Sequence, residues 1–223
     1  MGCSWIGHCL GIAAECFEFG SPVVEFGSRL LDQRGDYRRF FPHAEYIGCD
    51  IADGPNVDRV EDVQATSFAD ATAGSVICTE VLEHVPDPFA AVREMSRILR
   101  PGGLVFLSAP MHHTLHAYPA DYWRFTPQGF QVLLNGFSRR EVWYEGYAAY
   151  PNTVFALAWK APPPGDLDAR LSTFAARIRP SLWQRARNAA RAYLVPEGFR
   201  GRWWRRRKWR RLIEGTLNDP RRR

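Results

Sequence analysis

Four acids beside strand-like runs are the residues of this sequence best placed to do chemistry: Glu25 ahead of Gly27 and Ser28, Asp50 closing Tyr46–Asp50, Asp62 beyond Val57–Val60, and Glu80 after Ser75–Cys78 and Thr79. A carboxylate accepts hydrogen bonds from two neighbouring hydroxyls, and Asp50 follows Gly27 by the roughly 20 residues at which parallel nucleotide folds set an acid against a ribose. A glycine at the first turn lets a ligand approach the backbone closely, and a helix N-terminus behind it favours negative charge. Acids at strand ends also cap helices or stay solvated, but the joint placement of Asp50 and Asp62 favours a ligand. His84, in Glu80-Val81-Leu82-Glu83-His84-Val85-Pro86-Asp87-Pro88, offers an imidazole that titrates near neutrality and fits either a general base or a packed, loop-ordering residue. Met111 to Pro127 crowds imidazole, phenol, indole, carboxylate and guanidinium into one loop, the composition of a polar pocket with aromatic platforms or of a structural lid. His112, His113, His116 and Asp121 match no closed zinc set, and no metal is expected.

These groups need a sheet edge to hold them. Ser75–Cys78 reads as a buried strand. Asp87 is placed to cap a helix that Pro88 begins, with Phe89, Val92, Met95 and Leu99 as its apolar stripe and Arg93, Glu94 and Arg97 largely opposite. Pro101, Gly102 and Gly103 end that helix, and Leu104–Ala109 supplies the next parallel strand. Val23–Phe26 reads as a strand passing through a turn into a helix over Leu30–Phe40, Tyr46–Asp50 and Val57–Val60 as two further strands, and Thr126 with Pro127 as another helix start. Strand, acidic loop, capped helix and strand form a parallel crossover unit with its polar residues at the carboxyl edge, where such folds bind ligands.

The Glu-Val-Leu-Glu-His-Val segment at Glu80–Val85 and the Arg-Pro-Gly-Gly turn at Arg100–Gly103 resemble the class I methyltransferases that use S-adenosylmethionine, and within them the type 11-like domains. The resemblance covers about Pro22 to Lys160. It implies an α/β, Rossmann-like, seven-stranded, mostly parallel sheet with helices on both faces, whose antiparallel edge is formed by Glu141–Tyr147 and Thr153–Lys160. By the same resemblance Glu25, Gly27 and Ser28 surround the methionine moiety of S-adenosylmethionine. Asp50 holds both ribose hydroxyls and Ile51 covers the adenine. Asp62, six residues before Phe68, accepts from the adenine amino group, Val63 packs beside it, and Thr79 and Glu80 close the pocket near the sulfonium. The first loop departs from the family's acid-x-Gly-x-Gly-x-Gly, since Gly27 is followed by Ser28 and Arg29. His84 is the implied base, and His116, Tyr118, Asp121, Tyr122 and Trp123 are expected to face the acceptor. The Tyr-Pro, Asp-Tyr-Trp-Arg-Phe-Thr-Pro loop is similar to methyltransferases encoded beside surface-glycan enzymes, which suggests oxygen methylation of a saccharide, glycolipid or small polar metabolite. RNA or protein methylation, or a non-catalytic scaffold acting through a basic tail, are the alternatives.

With 223 residues, 46% of them apolar, the chain can bury one sizeable core. No apolar run reaches the roughly 20 residues of a membrane span, and no basic region precedes an apolar N-terminus, so a cytoplasmic location is expected. Five cysteines without paired spacing argue against a disulfide framework. The net charge of +5 conceals a division: residues 161–223 hold 17 basic and 5 acidic side chains, leaving 12 and 19 for residues 1–160. The break falls at Ala161-Pro162-Pro163-Pro164-Gly165, so the chain divides into a lead-in (1–21), the methyltransferase domain (22–160), a proline-rich linker (161–166) and a basic helical extension (167–223). Leu167, Leu171, Phe174, Ala175 and Ile178 mark one helical face before Pro180, and Ser181 with Gln184 signals a second helix toward Leu194. Trp203, Trp204 and Trp209 among arginines suit an anionic membrane surface, which implies peripheral attachment at the inner face; nucleic acid is the lesser alternative.

Overall fold

The computed structural model describes residues 2–30, 36–117, 119–147 and 150–178. Tyr118, Trp203, Trp204, Trp209 and the expected helix toward Leu194 lie outside them. Seven strands form one sheet in the order β3-β2-β1-β4-β5-β7-β6. They are β1 (Val23–Phe26), β2 (Tyr46–Asp50), β3 (Arg59–Val60), β4 (Ala73–Thr79), β5 (Leu99–Pro110), β6 (Arg139–Tyr147) and β7 (Tyr150–Trp159). The first five are parallel, while β7 runs antiparallel between β5 and β6. The chain order reverses between β1 and β4, the switch point at which a crevice opens beyond the strand ends.

Local rules account for the elements beside that crevice. Helix α2 (Pro88–Ile98) starts where Asp87 Oδ1 accepts from Ala90 N at 2.9 Å and Pro88 has no amide to leave unpaired. Its buried residues are Pro88, Ala91, Val92, Met95 and Ile98, whereas Phe89 is 49% exposed. The expected stripe is displaced by one position at the first turn, where Pro88 turns inward in place of Phe89. Thr126 caps α3 (Pro127–Leu133) by accepting from Gly129 N at 2.9 Å. These two helices cover one face of the sheet.

The other face is covered by α1 (Gly2–Cys16), by the segment Tyr37–Tyr46 and by α4 (Leu167–Arg177). The helix expected over Leu30–Phe40 is absent from the described part of that stretch, which makes only a 3-10 turn at Arg38–Phe40. Asp36 Oδ1 accepts from Arg38 N at 3.1 Å, and Tyr37 and Phe41 turn inward around it. The third strand is likewise shortened from Val57–Val60 to two residues. Asp58 bends back at this edge, with its Oδ2 2.7 Å from Gly48 N and its amide 2.7 Å from Gly48 O. On the α1 side, Leu167, Leu171, Phe174 and Ile178 pack into the same cluster as Ile6, Leu10 and Phe17. The break in charge at 161–166 is therefore not a break in packing: α4 shares the core of the sheet.

Candidate functional site

The loops that follow all five parallel strands open at one edge of the sheet, which brings together residues far apart in sequence. Gly27 and Ser28 leave β1, Asp50 and Ile51 leave β2, Asp62 and Val63 follow β3, Thr79 and Glu80 end β4, and His116, Asp121, Tyr122 and Trp123 follow β5.

On the β1 to β3 side, Gly27 has φ +80°, and a Cβ there would sit 2.3 Å from Val81 Cγ2, so only glycine lets the two loops meet. Ser28 is buried; its hydroxyl donates to Asn56 O at 3.1 Å, while Asn56 Nδ2 donates to Ser28 O at 3.1 Å. This clasp joins the first loop to the second. Asp50 is half-buried and receives Arg29 N at 3.3 Å and Ala52 N at 3.1 Å. Two of a carboxylate's roughly four lone-pair sites remain for hydroxyl donors. Beside it Ile51 is 68% exposed, an apolar platform with no protein group over it among the described residues. Asp62 receives Gln64 N at 2.9 Å and Gln64 Nε2 at 3.1 and 3.2 Å on its two oxygens, whereas Val63 and Phe68 point inward to the core. The aliphatic part of Arg29 lies along Gly54, and its buried Nε has no partner among the described residues. A glycine cradle, an open apolar face, an Asp50 carboxylate with spare acceptor capacity and an unpaired buried donor fit the nucleoside and amino-acid parts of S-adenosylmethionine.

The β4 and β5 side forms the mouth. Glu80 adopts φ +54°, the strained left-handed region, and this swings the chain out of β4 into a 3-10 turn at Leu82–His84. Its Oε1 accepts from Ser108 Oγ at 2.8 Å, and burial raises its pKa. His84 Nδ1 lies 2.5 Å from Ala120 O. A carbonyl only accepts, so Nδ1 carries the hydrogen, and in the neutral ring the lone pair is on Nε2, 3.8 Å from Glu83 Oε1. The His116 ring meets His84 edge-on at 4.7 Å between centroids. Asp121 receives Arg124 at 2.5 and 2.8 Å and His116 N at 2.8 Å, so the guanidinium holds its carboxyl far below the usual range. Trp123 Nε1 donates to Val85 O at 2.9 Å, while half of Tyr122 stays exposed at the rim.

Several partners in this arrangement carried no role in the sequence reading. Tyr46 donates to Glu25 Oε2 at 2.7 Å, so the Glu25 carboxyl serves the interior of the α1 side instead of reaching into the crevice. Ser28's hydroxyl is similarly committed to Asn56, which leaves backbone groups as what this loop presents. Asn56, Ser108 and Ala120 gave no local signal, because each acts only through a distant loop. Glu83 lies inside the Glu80–Val85 segment, yet its burial follows from tertiary packing alone.

Burial lifts the Glu25 carboxyl to about 7. A carboxyl that binds its proton more tightly when folded stabilises the protein fully below its unfolded value, and that contribution is lost as pH rises through the folded one. Wild-type denaturation midpoints should therefore fall between about pH 5 and about pH 8, with Glu83, raised to about 8, acting in the same direction. Glu25→Gln should flatten part of that fall; an equal fall in both proteins would assign it to other groups.

Residues 34–107 match the family model described as a methyltransferase domain. A ubiquinone biosynthesis O-methyltransferase of Xanthomonas oryzae pv. oryzae is 46% identical over 66 residues, 30% of this chain and 25% of that protein. The protein of the same name from Pseudomonas aeruginosa is 30% identical over 140 residues, 53% of this chain and 52% of that one. The chain thus spans at most about half the length of these relatives. A SAM-dependent methyltransferase from Archaeoglobus fulgidus superposes with TM-score 0.55 at 16% identity over 70% of this chain and 93% of its own. One from Thermotoga maritima gives 0.51 at 16% identity, over 70% and 91%. Strand order, crevice and the match over residues 34–107 agree: the chain carries the fold of the class I S-adenosylmethionine-dependent methyltransferases.

Proposed function

We propose that the chain is an S-adenosylmethionine-dependent methyltransferase that acts on an oxygen of a saccharide, glycolipid or small polar metabolite. The observation that carries this reading is the single sheet edge on which the half-buried Asp50 and Asp62 stand to one side of Gly27 and His84, its Nδ1 bound to Ala120 O, stands to the other. Asp50, Asp62, Ile51 and the backbone at Gly27 would hold the cofactor, which when bound supplies a methyl group already activated by the positive charge on sulfur. The chain's own work is then alignment and exclusion of water. A hydroxyl acceptor keeps its proton until attack, so it needs a base, and His84 Nε2 is the group at the mouth with the lone pair to serve as one. Exposed Tyr122 and Trp123 give a ring-shaped acceptor faces to lie against, and the names of the curated relatives support oxygen as the acceptor atom. The basic extension's attachment to an anionic membrane concerns residues outside those described.

The test is calorimetric titration with S-adenosylmethionine. Asp50→Ala should weaken binding about 10- to 100-fold, the scale of lost charge-assisted hydrogen bonds. Unchanged affinity would remove Asp50 from the nucleoside, and no binding by the wild-type protein would leave the scaffold alternative. Native mass spectrometry of the purified chain would name the acceptor by the mass it retains.

A further inference from the structure

We propose that Glu83 is a positioning residue for His84: the two side chains share one proton across the floor of the mouth, and His84 Nε2 becomes free for an acceptor only when that proton has left. The consequence for catalysis rests on the methyltransferase reading above; the sharing itself does not.

Glu83 is 1% exposed, and neither of its carboxylate oxygens has a hydrogen-bond partner among the described residues. An ionised carboxylate left so would lose its hydration without compensation, so the group keeps a proton instead. Its own backbone amide relieves part of that cost, and the nearby guanidinium little more. The Arg124 guanidinium is already bound to both oxygens of Asp121 and to the carbonyls of Trp123 and Thr114 at 2.7 and 3.1 Å. From β4 and its end, Cys78 and Glu80 face Glu83; from the loop after β5, Asp121 and Arg124 do so, with His116 beside His84 and His113 toward Glu80. Burial first, and the Glu80 charge second, push its carboxyl up to about 8.

A neutral carboxyl has one hydrogen to give. His84 Nε2 lies 3.8 Å from Glu83 Oε1, and one donor atom from each of Glu83, His84 and His116 falls within 4.8 Å of the others. Contacts of this kind commonly tighten once a ligand closes the site. The backbone holds the pair in place: Glu83 O receives Tyr122 N at 2.7 Å and Trp123 N at 3.3 Å, while His84 Nδ1 donates to Ala120 O. With the shared proton present, the Glu83 hydroxyl points at Nε2 and occupies its lone pair. With it gone, Nε2 would be open to take the proton of an acceptor hydroxyl as that oxygen received the methyl group a bound cofactor would supply, the bonding pair staying with the cofactor's sulfur. The Glu83 carboxylate then faces the imidazolium so formed. Transfer should accordingly rise with pH through about 8.

The test needs neither cofactor nor acceptor. In the full chain labelled with nitrogen-15 at histidine, His84 ring signals, assigned by their loss in His84→Asn, are followed between about pH 5 and about pH 9.5. Wild type should show two steps, the upper near 8, and Glu83→Gln one step with the upper lost, while the exposed His8 and His43 keep their curves as fold controls. A single step in wild type, or an upper step that survives Glu83→Gln, overturns the proposal. Should Glu83→Gln not fold, wild type labelled with carbon-13 at the glutamate carboxyls decides alone. A glutamate carbon must titrate together with the upper His84 step, and its absence is equally decisive. A cofactor-free titration separates this outcome from any failure of the methyltransferase reading.

Discussion

His84→Asn should lower methyl transfer by about 100- to 10,000-fold, the range over which a positioned acid or base contributes, while affinity for S-adenosylmethionine changes by less than about threefold. Asparagine is the informative substitution because its amide can still donate to Ala120 O, the bond that ties the turn after β4 to the loop after β5. What it removes is Nε2 together with the ring edge that meets His116. The nucleoside contacts proposed for Asp50, Asp62 and Ile51 lie across the crevice on the loops after β2 and β3, so binding and turnover should separate cleanly. An effect confined to kcat would show an interaction made only in the transition state; a matching loss of cofactor affinity would show a displaced loop. Near-normal turnover at saturating cofactor and acceptor would identify His84 as a packed residue that orders the mouth. The measurement is single-turnover transfer of labelled methyl to the acceptor that native mass spectrometry identifies, paired with calorimetry on the same preparations.

The parts of the fold written in local code were legible. Asp87 before Pro88 and Thr126 before Pro127 announce helix starts through caps that involve only neighbouring residues, and Tyr46–Asp50 announces a buried strand that ends in an acid. The misreadings arise where distant groups decide. The stretch Leu30–Phe40 has the composition of a helix, but Asp36 binds the Arg38 amide and Tyr37 and Phe41 are drawn into the cluster beneath, so the described part tightens into a 3-10 turn. Gly7 and Gly11 lower the helix propensity of the first residues. In the fold they are what admits the rings of Tyr37 and Phe40, 3.3 and 3.1 Å from where each Cβ would stand. The same holds at the site. That Asp50 ends its strand at the edge where Gly27 turns was visible from the spacing, whereas the clasp between Ser28 and Asn56 and the burial of Glu83 depend on loops that meet only once the sheet is assembled. A glutamate between leucine and histidine reads as a solvated turn residue until the loop after β5 closes over it.

Phe174→Ala should cost about 3 to 5 kcal/mol of stability, the usual range for emptying a fully buried phenylalanine site. The side chain is fully buried, and its ring meets Phe17, Trp143 and Phe155 edge-on, with centroids 5.4, 5.1 and 6.4 Å away. Those partners come from the segment after α1, from β6 and from β7, so one residue of α4 touches three parts of the α1-side core. No neighbour can fill the space cheaply, because Trp143 and Phe155 are already stacked on each other at 5.3 Å. The surface pairs of α4 would not make good the loss. Arg177 with Glu15 lies in solvent and Arg139 with Asp168 at its margin, so neither pair replaces buried apolar area. Denaturant unfolding should therefore move to a lower midpoint with an unchanged slope, which marks lost stability without a change in the surface exposed. A cost below about 1 kcal/mol would mean that residues 167–178 are an appendage on a domain complete without them, as the charge division alone implies. Affinity for S-adenosylmethionine, measured below the transition, should stay within about twofold, since Phe174 packs against a face of the sheet and the crevice opens at the strand ends.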